Sequence, residues 1–266
     1  MSARSIVAVV NQKGGVGKTT TAVNLAASLA VAEHPTLLVD MDPQGNASSG
    51  VGVPPRSIER SVYDCLIAGV HLEDVVVETK VPHLTVLPAK QDLVAAEIEL
   101  VDEADRASRL ARVLDEAFTR GVPYRQVIID CPPSLGLLTL NALVAAQSVL
   151  VPLQCEFYAL EGLTYLMDTI DRVRNGLNAD LEVDGVVLTM FDPRNNLAHQ
   201  VSDEVKKHFS VYDAVVPRNI RLSEAPSHGL PILLYDAKSK GAEAYLALAR
   251  EFLDRRAGKK RKESRK

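Results

Sequence analysis

The chain is predicted to be an α/β protein, with a single doubly wound, mainly parallel sheet and helices on both faces. Three observations carry that prediction. Short runs of Val, Ile and Leu alternate with helical apolar patterns from one end of the sequence to the other. Hydrophobic residues make up 47% of the chain but aromatic residues only 5%, and tryptophan is absent. The core is therefore aliphatic, as it is in parallel sheets covered by helices. Finally, no proline- or serine-rich linker and no internal repeat divides the 266 residues, so one domain of residues 1–256 with a short tail, 257–266, is expected.

Taken in order, the expected strands are Ile6–Val10, Thr36–Asp40, Leu84–Leu87, Gln126–Asp130, Val149–Leu153, Gly185–Met190, Ala214–Pro217 and Ile232–Leu234. Between the first two, Ala22, Val23, Leu25, Ala26 and Leu29 form a helical stripe, and Tyr245, Leu248, Ala249 and Phe252 form another near the end. The 25 residues from Cys131 to Cys155 carry no formal charge, a length that could span a membrane. Pro132, Pro133, Asn141, Gln147 and Pro152 interrupt them, however, and a buried helix over 137–146 followed by a buried strand is the better reading. In such sheets ligands bind outside the carboxyl ends of the strands, where Asn11, Asp40, Asp130 and Pro217 fall.

The first strand runs directly into Lys13-Gly14-Gly15-Val16-Gly17-Lys18-Thr19-Thr20. A glycine-rich turn that opens a helix presents backbone N–H groups without intrahelical partners, together with the positive end of the helix dipole. That arrangement cradles phosphate. Lys18 can reach the terminal phosphates of a nucleotide, and the Thr19 hydroxyl can ligate Mg²⁺. The general P-loop pattern asks for glycine at position 12; this chain has Gln12 and a second lysine, Lys13.

That departure resembles the deviant P-loop of the ParA/MinD/nitrogenase-iron-protein group. The resemblance implies ATP and Mg²⁺ as cofactors. It also implies a homodimer formed on ATP binding, in which Lys13 crosses to the partner subunit's nucleotide and offsets charge there. Asp40-Met41-Asp42-Pro43-Gln44-Gly45-Asn46 places two carboxylates on the same side of a strand end. It resembles the first switch of ParA-type ATPases, which ties Asp42 to hydrolysis and Asp40 to the magnesium site. The apolar run ending at Asp130, before Cys131-Pro132-Pro133, reads as a Walker B strand whose carboxylate holds the metal through water. Ser134-Leu135-Gly136 is expected to form the second switch. No histidine or glutamate is placed as a strong base, and slow hydrolysis is expected, since phosphoryl transfer rests on positioning and charge. The stretch from Val216 to Gly229 is similar to a C-terminal motif of the chromosomal ParA/Soj family, in which the residues matching Pro217 and Asn219 contact adenine. Cys155 to Gly162 matches the same family; Glu224 and His228 are read as turn and capping residues.

Three outputs of an ATP cycle compete. In the first, the ATP-bound dimer binds double-stranded DNA without sequence preference, and a ParB-like centromere-binding protein stimulates hydrolysis and release. The resemblance maps DNA contacts onto Arg194 and Arg221, with Lys238 and Lys240 as additions; each reads equally well as a solvated surface charge. The second output, MinD-like docking on membrane, needs a terminal apolar face. The residues after Leu253 are charged without one, so no stable membrane anchor is expected. The third, iron-protein-like electron transfer, needs two suitably placed thiolates, and Cys65, Cys131 and Cys155 do not supply them. The odd, unspaced cysteines and the immediate first strand suggest a cytoplasmic protein, and the DNA-binding cycle that the resemblance implies would make it nucleoid-associated. Net charge is −4, yet the last ten residues carry +5, leaving −9 on the rest. This basic tail could touch nucleic acid or anionic lipid, or simply be a solvated, disordered end.

Overall fold

A computed structural model of the chain describes residues 4–263. One seven-stranded sheet runs β3-β4-β2-β5-β1-β6-β7. The strands are β1 (Ser5–Val9), β2 (Thr36–Asp40), β3 (Val77–Glu78), β4 (Leu84–Leu87), β5 (Gln126–Asp130), β6 (Ser148–Gln154) and β7 (Glu182–Thr189). Every pairing is parallel except that of β3 with β4. The helices on the first face are α3 (Val62–Ile67), α4 (Leu93–Glu99), α5 (Arg109–Thr119), α6 (Leu137–Ala145), α7 (Ala159–Gly176) and α8 (Asn196–His208). On the second face lie α1 (Lys18–Val31), α2 (Asn46–Gly50), α9 (Ile220–Glu224), α10 (Ile232–Tyr235) and α11 (Lys240–Glu263). Successive strand residues point to opposite faces, so Ile6 and Ala8 of β1 enter the first core while Val7 and Val9 enter the second. This is the doubly wound, mainly parallel arrangement expected.

The sheet order is what builds the site. β5 lies between β1 and β2, and the register sets Asp130 opposite both Val9 and Asp40. The carboxyl ends of three central strands are thereby level, and the loops that follow them converge.

Two expected strands are absent. Ala214–Pro217 runs along the open edge of β7, where Val216 N donates to Leu188 O at 2.9 Å and Phe191 N donates to Val216 O at 3.1 Å, but its only ladder pairing is the single bridge Phe191 to Pro217, too short to make a strand. Ile232–Leu234 is helical instead. Three apolar residues do not distinguish strand from helix, and here Pro231 starts a turn whose Ile232 N–H donates to Asn24 Oδ1 at 2.7 Å. The edge strand β3 carries too little pattern in two residues to be read from sequence. The uncharged 131–155 stretch folds as α6 and β6, and among the described residues no helix is long and apolar enough to cross a membrane. The backbone of α11 continues beyond residue 256, where composition put the end of the folded domain, to Glu263. Lys and Arg are good helix formers and suit the negative end of the helix dipole. The rest of the basic tail, 264–266, lies outside the described residues.

Candidate functional site

The loop between β1 and α1 is held open by backbone geometry. Gly15 and Gly17 have φ of 75° and 86°, in the left-handed region where a side chain is strained, and Gly17 caps α1. No protein atom lies within 4 Å of where a Cβ would stand on Gly14 or Gly15, so the cradle is free of protein packing. Two tethers fix it. Asn11 donates to Pro152 O at 2.8 Å and accepts from Lys13 N at 3.0 Å, and the Thr189 hydroxyl donates to Val16 O at 2.8 Å. The roles of Asn11 and Thr189 as tethers were not legible locally, since their partners lie 141 and 173 residues away.

Lys18 is buried, and its ammonium donates to Lys13 O at 3.0 Å, arching back over the loop. Burial lowers its pKa, while Asp130, Cys131 and Asp42 pull it up. Lys13 points elsewhere: its ammonium pairs with Glu156, in the segment before α7. Sequence alone gave Glu156 no role.

Asp130 and Asp42 act on Lys18, and a third carboxylate, Asp40, stands beside Asp130. Both Asp40 oxygens are occupied: Oδ1 accepts from Asp42 N at 3.1 Å, and Oδ2 accepts from Ser48 N at 2.8 Å and Ser48 Oγ at 2.7 Å. Asp40 therefore organises the 42–48 turn and adds charge beside Asp130. Burial raises its pKa to about 6 against those hydrogen bonds. Asp42 Oδ1 accepts from Gln44 N at 2.9 Å. Asp130 is fully buried, and neither of its oxygens has a hydrogen-bond partner. The Thr19 hydroxyl is near enough to ease its charge but does not make a bond of ordinary geometry. Burial first, then Asp40 and Asp42, push the Asp130 pKa well up; Lys18 opposes them.

A partnerless, fully buried carboxylate is costly unless a cation pairs with it. Oxygen donors alone (Thr19 Oγ1, Asp130, phosphates and waters) suit a hard cation that keeps its hydration, which is the preference of Mg²⁺. The residues present therefore fit that ion. Among the described residues no group of three or more His, Cys, Asp or Glu forms an all-protein metal site, consistent with a metal held largely by substrate. The three cysteines are free and buried, with Cys65 and Cys155 pushed up to about 12 and 11, and so they are poor thiolate donors.

Beside the loop opens a groove of about 480 Å³ lined by Gly15, Gly17, Thr189, Pro217, Asn219 and Tyr245 among others. Its size and mostly apolar wall suit a flat base. Asn219 Oδ1 accepts from Leu222 N at 3.3 Å, capping α9, and its amide NH₂ remains for a ligand. Glu224 accepts from the Tyr235 hydroxyl at 3.0 Å, and His228 stacks on the Tyr235 ring at 4.9 Å, both away from the loop.

The four basic candidates are exposed, three of them in ion pairs. Arg221 pairs with Glu224 at 2.9 Å and Asp236 at 3.5 Å, and Asp236 also accepts from Lys238 N at 3.2 Å. Lys240 pairs with Glu243 at 2.7 Å. Arg194 forks onto Asp192 through Nε and Nη2, both at 2.9 Å, holding that carboxyl down at about 2. The Phe191–Pro217 bridge sets its loop beside the one that leads to Arg221.

A family model described as an AAA domain matches residues 4–183. The chain is 57% identical over 252 residues to the chromosome partitioning protein ParA of Myxococcus xanthus, covering 94% of this chain and 88% of that one. It is 56% identical to the sporulation initiation inhibitor protein Soj of Bacillus subtilis, covering 92% and 97%. Among solved structures, cobyrinic acid a,c-diamide synthase from Mycobacterium smegmatis with bound ADP and magnesium matches at 38% identity with a TM-score of 0.81, covering 92% of each chain. The cell division ATPase MinD of Pyrococcus furiosus matches at 26% identity with a TM-score of 0.77, covering 96% and 99%.

Proposed function

The chain belongs to the ParA/Soj family of chromosome-partition ATPases, and on that premise we propose that it drives DNA segregation through an ATP-dependent DNA-binding cycle. Its substrate is ATP with Mg²⁺. The observation that carries the site is the open amide cradle beside the partnerless Asp130 carboxylate. The loop N–H groups of 14–20 and the Lys18 ammonium hold the phosphates, and Pro217 and Asn219 take the adenine. Thr19 and Asp130 would hold Mg²⁺, Asp130 through water, with Asp40 in support. Bound there, the ion neutralises phosphate charge and orients the terminal phosphoryl group.

Asp42 orients the attacking water. With no strong base beside it, hydrolysis is slow, and the cycle works as a timer. Lys13 leaves Glu156 when two ATP-loaded protomers meet and reaches the partner subunit's phosphates, where its charge acts much as an arginine finger does. The dimer gathers Arg194, Arg221, Lys238 and Lys240 on one face for DNA phosphates. A ParB-like partner stimulates hydrolysis, the dimer dissociates and DNA is released. Residues 1–256 form the ATPase domain, and the basic tail adds charge.

The test is duplex-DNA binding with ATP, with ADP and without nucleotide, across a salt series. Binding that needs ATP and falls steeply with salt supports the proposal. Equal binding in all three nucleotide states refutes it.

A further inference from the structure

We propose that the outward face of α4 docks a basic amphipathic segment of a partner protein. This deepens the partner-stimulated cycle above and rests on it. Leu93 and Ala96 anchor the helix in the core, joined by Leu100 at its C-cap, while Val94 and Ile98 on its other side and Val101 in the turn that follows are 47%, 73% and 51% exposed. An apolar stripe turned to solvent on a helix already anchored from behind marks an interaction surface.

Charge says what covers it. Residues 91–105 hold six carboxylates and no lysine or arginine. Asp92 pairs with Lys90, and Glu103 and Asp105 pair with Arg109. Glu97, Glu99 and Asp102 have no cation within ion-pair distance among the described residues, and Glu99 only accepts from the Tyr63 hydroxyl. An apolar stripe edged by three uncompensated carboxylates fits a helix or strand that carries apolar residues on one side and Lys or Arg beside them.

The same helix reaches the nucleotide side. The Glu97 carboxylate lies so close over Gly136 that a Cβ there would collide with it, and Gly136 caps α6 after the Ser134-Leu135 segment that leaves Asp130. A ligand pressing on α4 therefore bears on the loop that follows the Walker B carboxylate.

Two measurements on the full chain test this. The first is fluorescence anisotropy with a labelled 18-residue Lys/Leu amphipathic peptide, its Glu/Leu counterpart and a scrambled Lys/Leu peptide. The Lys/Leu helix should bind the wild type about tenfold more tightly than the other two, and Ile98→Ser should weaken it by about tenfold, the scale of losing one buried apolar side chain. Equal binding by the scrambled peptide, or no effect of Ile98→Ser, overturns the proposal. The second is ATP hydrolysis with and without the ParB-like partner. Stimulation of the wild type that is lost in Ile98→Ser while the unstimulated rate stays unchanged supports the docking face. Stimulation of both proteins alike overturns it and leaves the cycle standing. No stimulation of the wild type instead overturns the cycle and, with it, this proposal. Loss of ATP-dependent dimerisation by Ile98→Ser in ultracentrifugation would assign the stripe to a second copy and also overturn the proposal.

Discussion

Asp130→Asn separates the cost of the site from its use. The wild-type carboxylate is fully buried without a hydrogen-bond partner, and an uncompensated charge of that kind costs several kcal/mol. An asparagine of the same shape keeps a buried, unpartnered amide, which costs about 1–3 kcal/mol, but nothing ionises. No native hydrogen bond is lost. The nucleotide-free variant should therefore be more stable than wild type at pH 7.5 by about 2 kcal/mol, or about 4–8 °C in Tm for a chain of this size.

Ligand reverses the order. Saturating Mg²⁺ and ATP at about a hundred times Kd stabilise a binding protein by about 2.7 kcal/mol, and the variant, with no charge to offer, should gain much less.

The pH dependence has a defined sign. Asp40, raised to about 6, and Asp130, raised further, hold protons in the folded state that the unfolded chain has already released. Native-state stability of the nucleotide-free wild type therefore falls as pH rises from about 4, the ordinary carboxylate value, toward about 6 for Asp40 and beyond for Asp130. Asp130→Asn should remove the fall beyond about 6 and make the part between about 4 and 6, to which both carboxyls contribute, shallower by about half. Urea denaturation at pH 5.5 and 7.5, with and without Mg²⁺ and ATP, reads all of this. A variant no more stable than wild type without nucleotide, or equally stabilised by it, refutes the reasoning.

Asp42→Ala should keep ATP binding and trap a dimer on DNA, seen as a persistent two-protomer species in ultracentrifugation; a monomer in saturating ATP and Mg²⁺ would defeat the sandwich mechanism. Arg221→Glu should lower DNA affinity tenfold or more and make the salt slope shallower by about one, while ATP-driven dimerisation persists; unchanged affinity would remove Arg221 from the DNA face. Ser48→Ala deletes a buried hydroxyl that donates to Asp40 at 2.7 Å and accepts from Ala89 N at 3.1 Å. It should cost about 2–4 kcal/mol in urea denaturation, and a loss below about 0.5 kcal/mol would show that Asp40 is held by other means.

What could be read from sequence was contiguous. The run from Lys13 to Thr20 is a strand end, a turn and a helix start, and each of its features acts within a few residues. The same holds for the strand that delivers Asp130 and for the Asp40–Asp42 pair. The misreadings were short: two apolar segments of three or four residues became a helix and a one-residue bridge once neighbours decided their pairing. Thr189 and Glu156 were given no role because a threonine or a surface glutamate shows no local pattern when its partner lies far along the chain, and Ser48 because its hydroxyl acts by joining Asp40 to the distant Ala89 N.

Sequence by itself determined the chemistry on offer: a phosphate cradle, two lysines, three acids and an aliphatic α/β frame, all set by local backbone geometry and composition. Only the tertiary structure decided how they are arranged. Putting β5 between β1 and β2 levels Asp130 with Asp40 and leaves one carboxylate hydrogen-bonded through both oxygens and the other bare. Packing from behind leaves the stripe on α4 facing water. Hydrogen-bond satisfaction and burial are properties of the assembled neighbourhood, and no stretch of chain carries them alone.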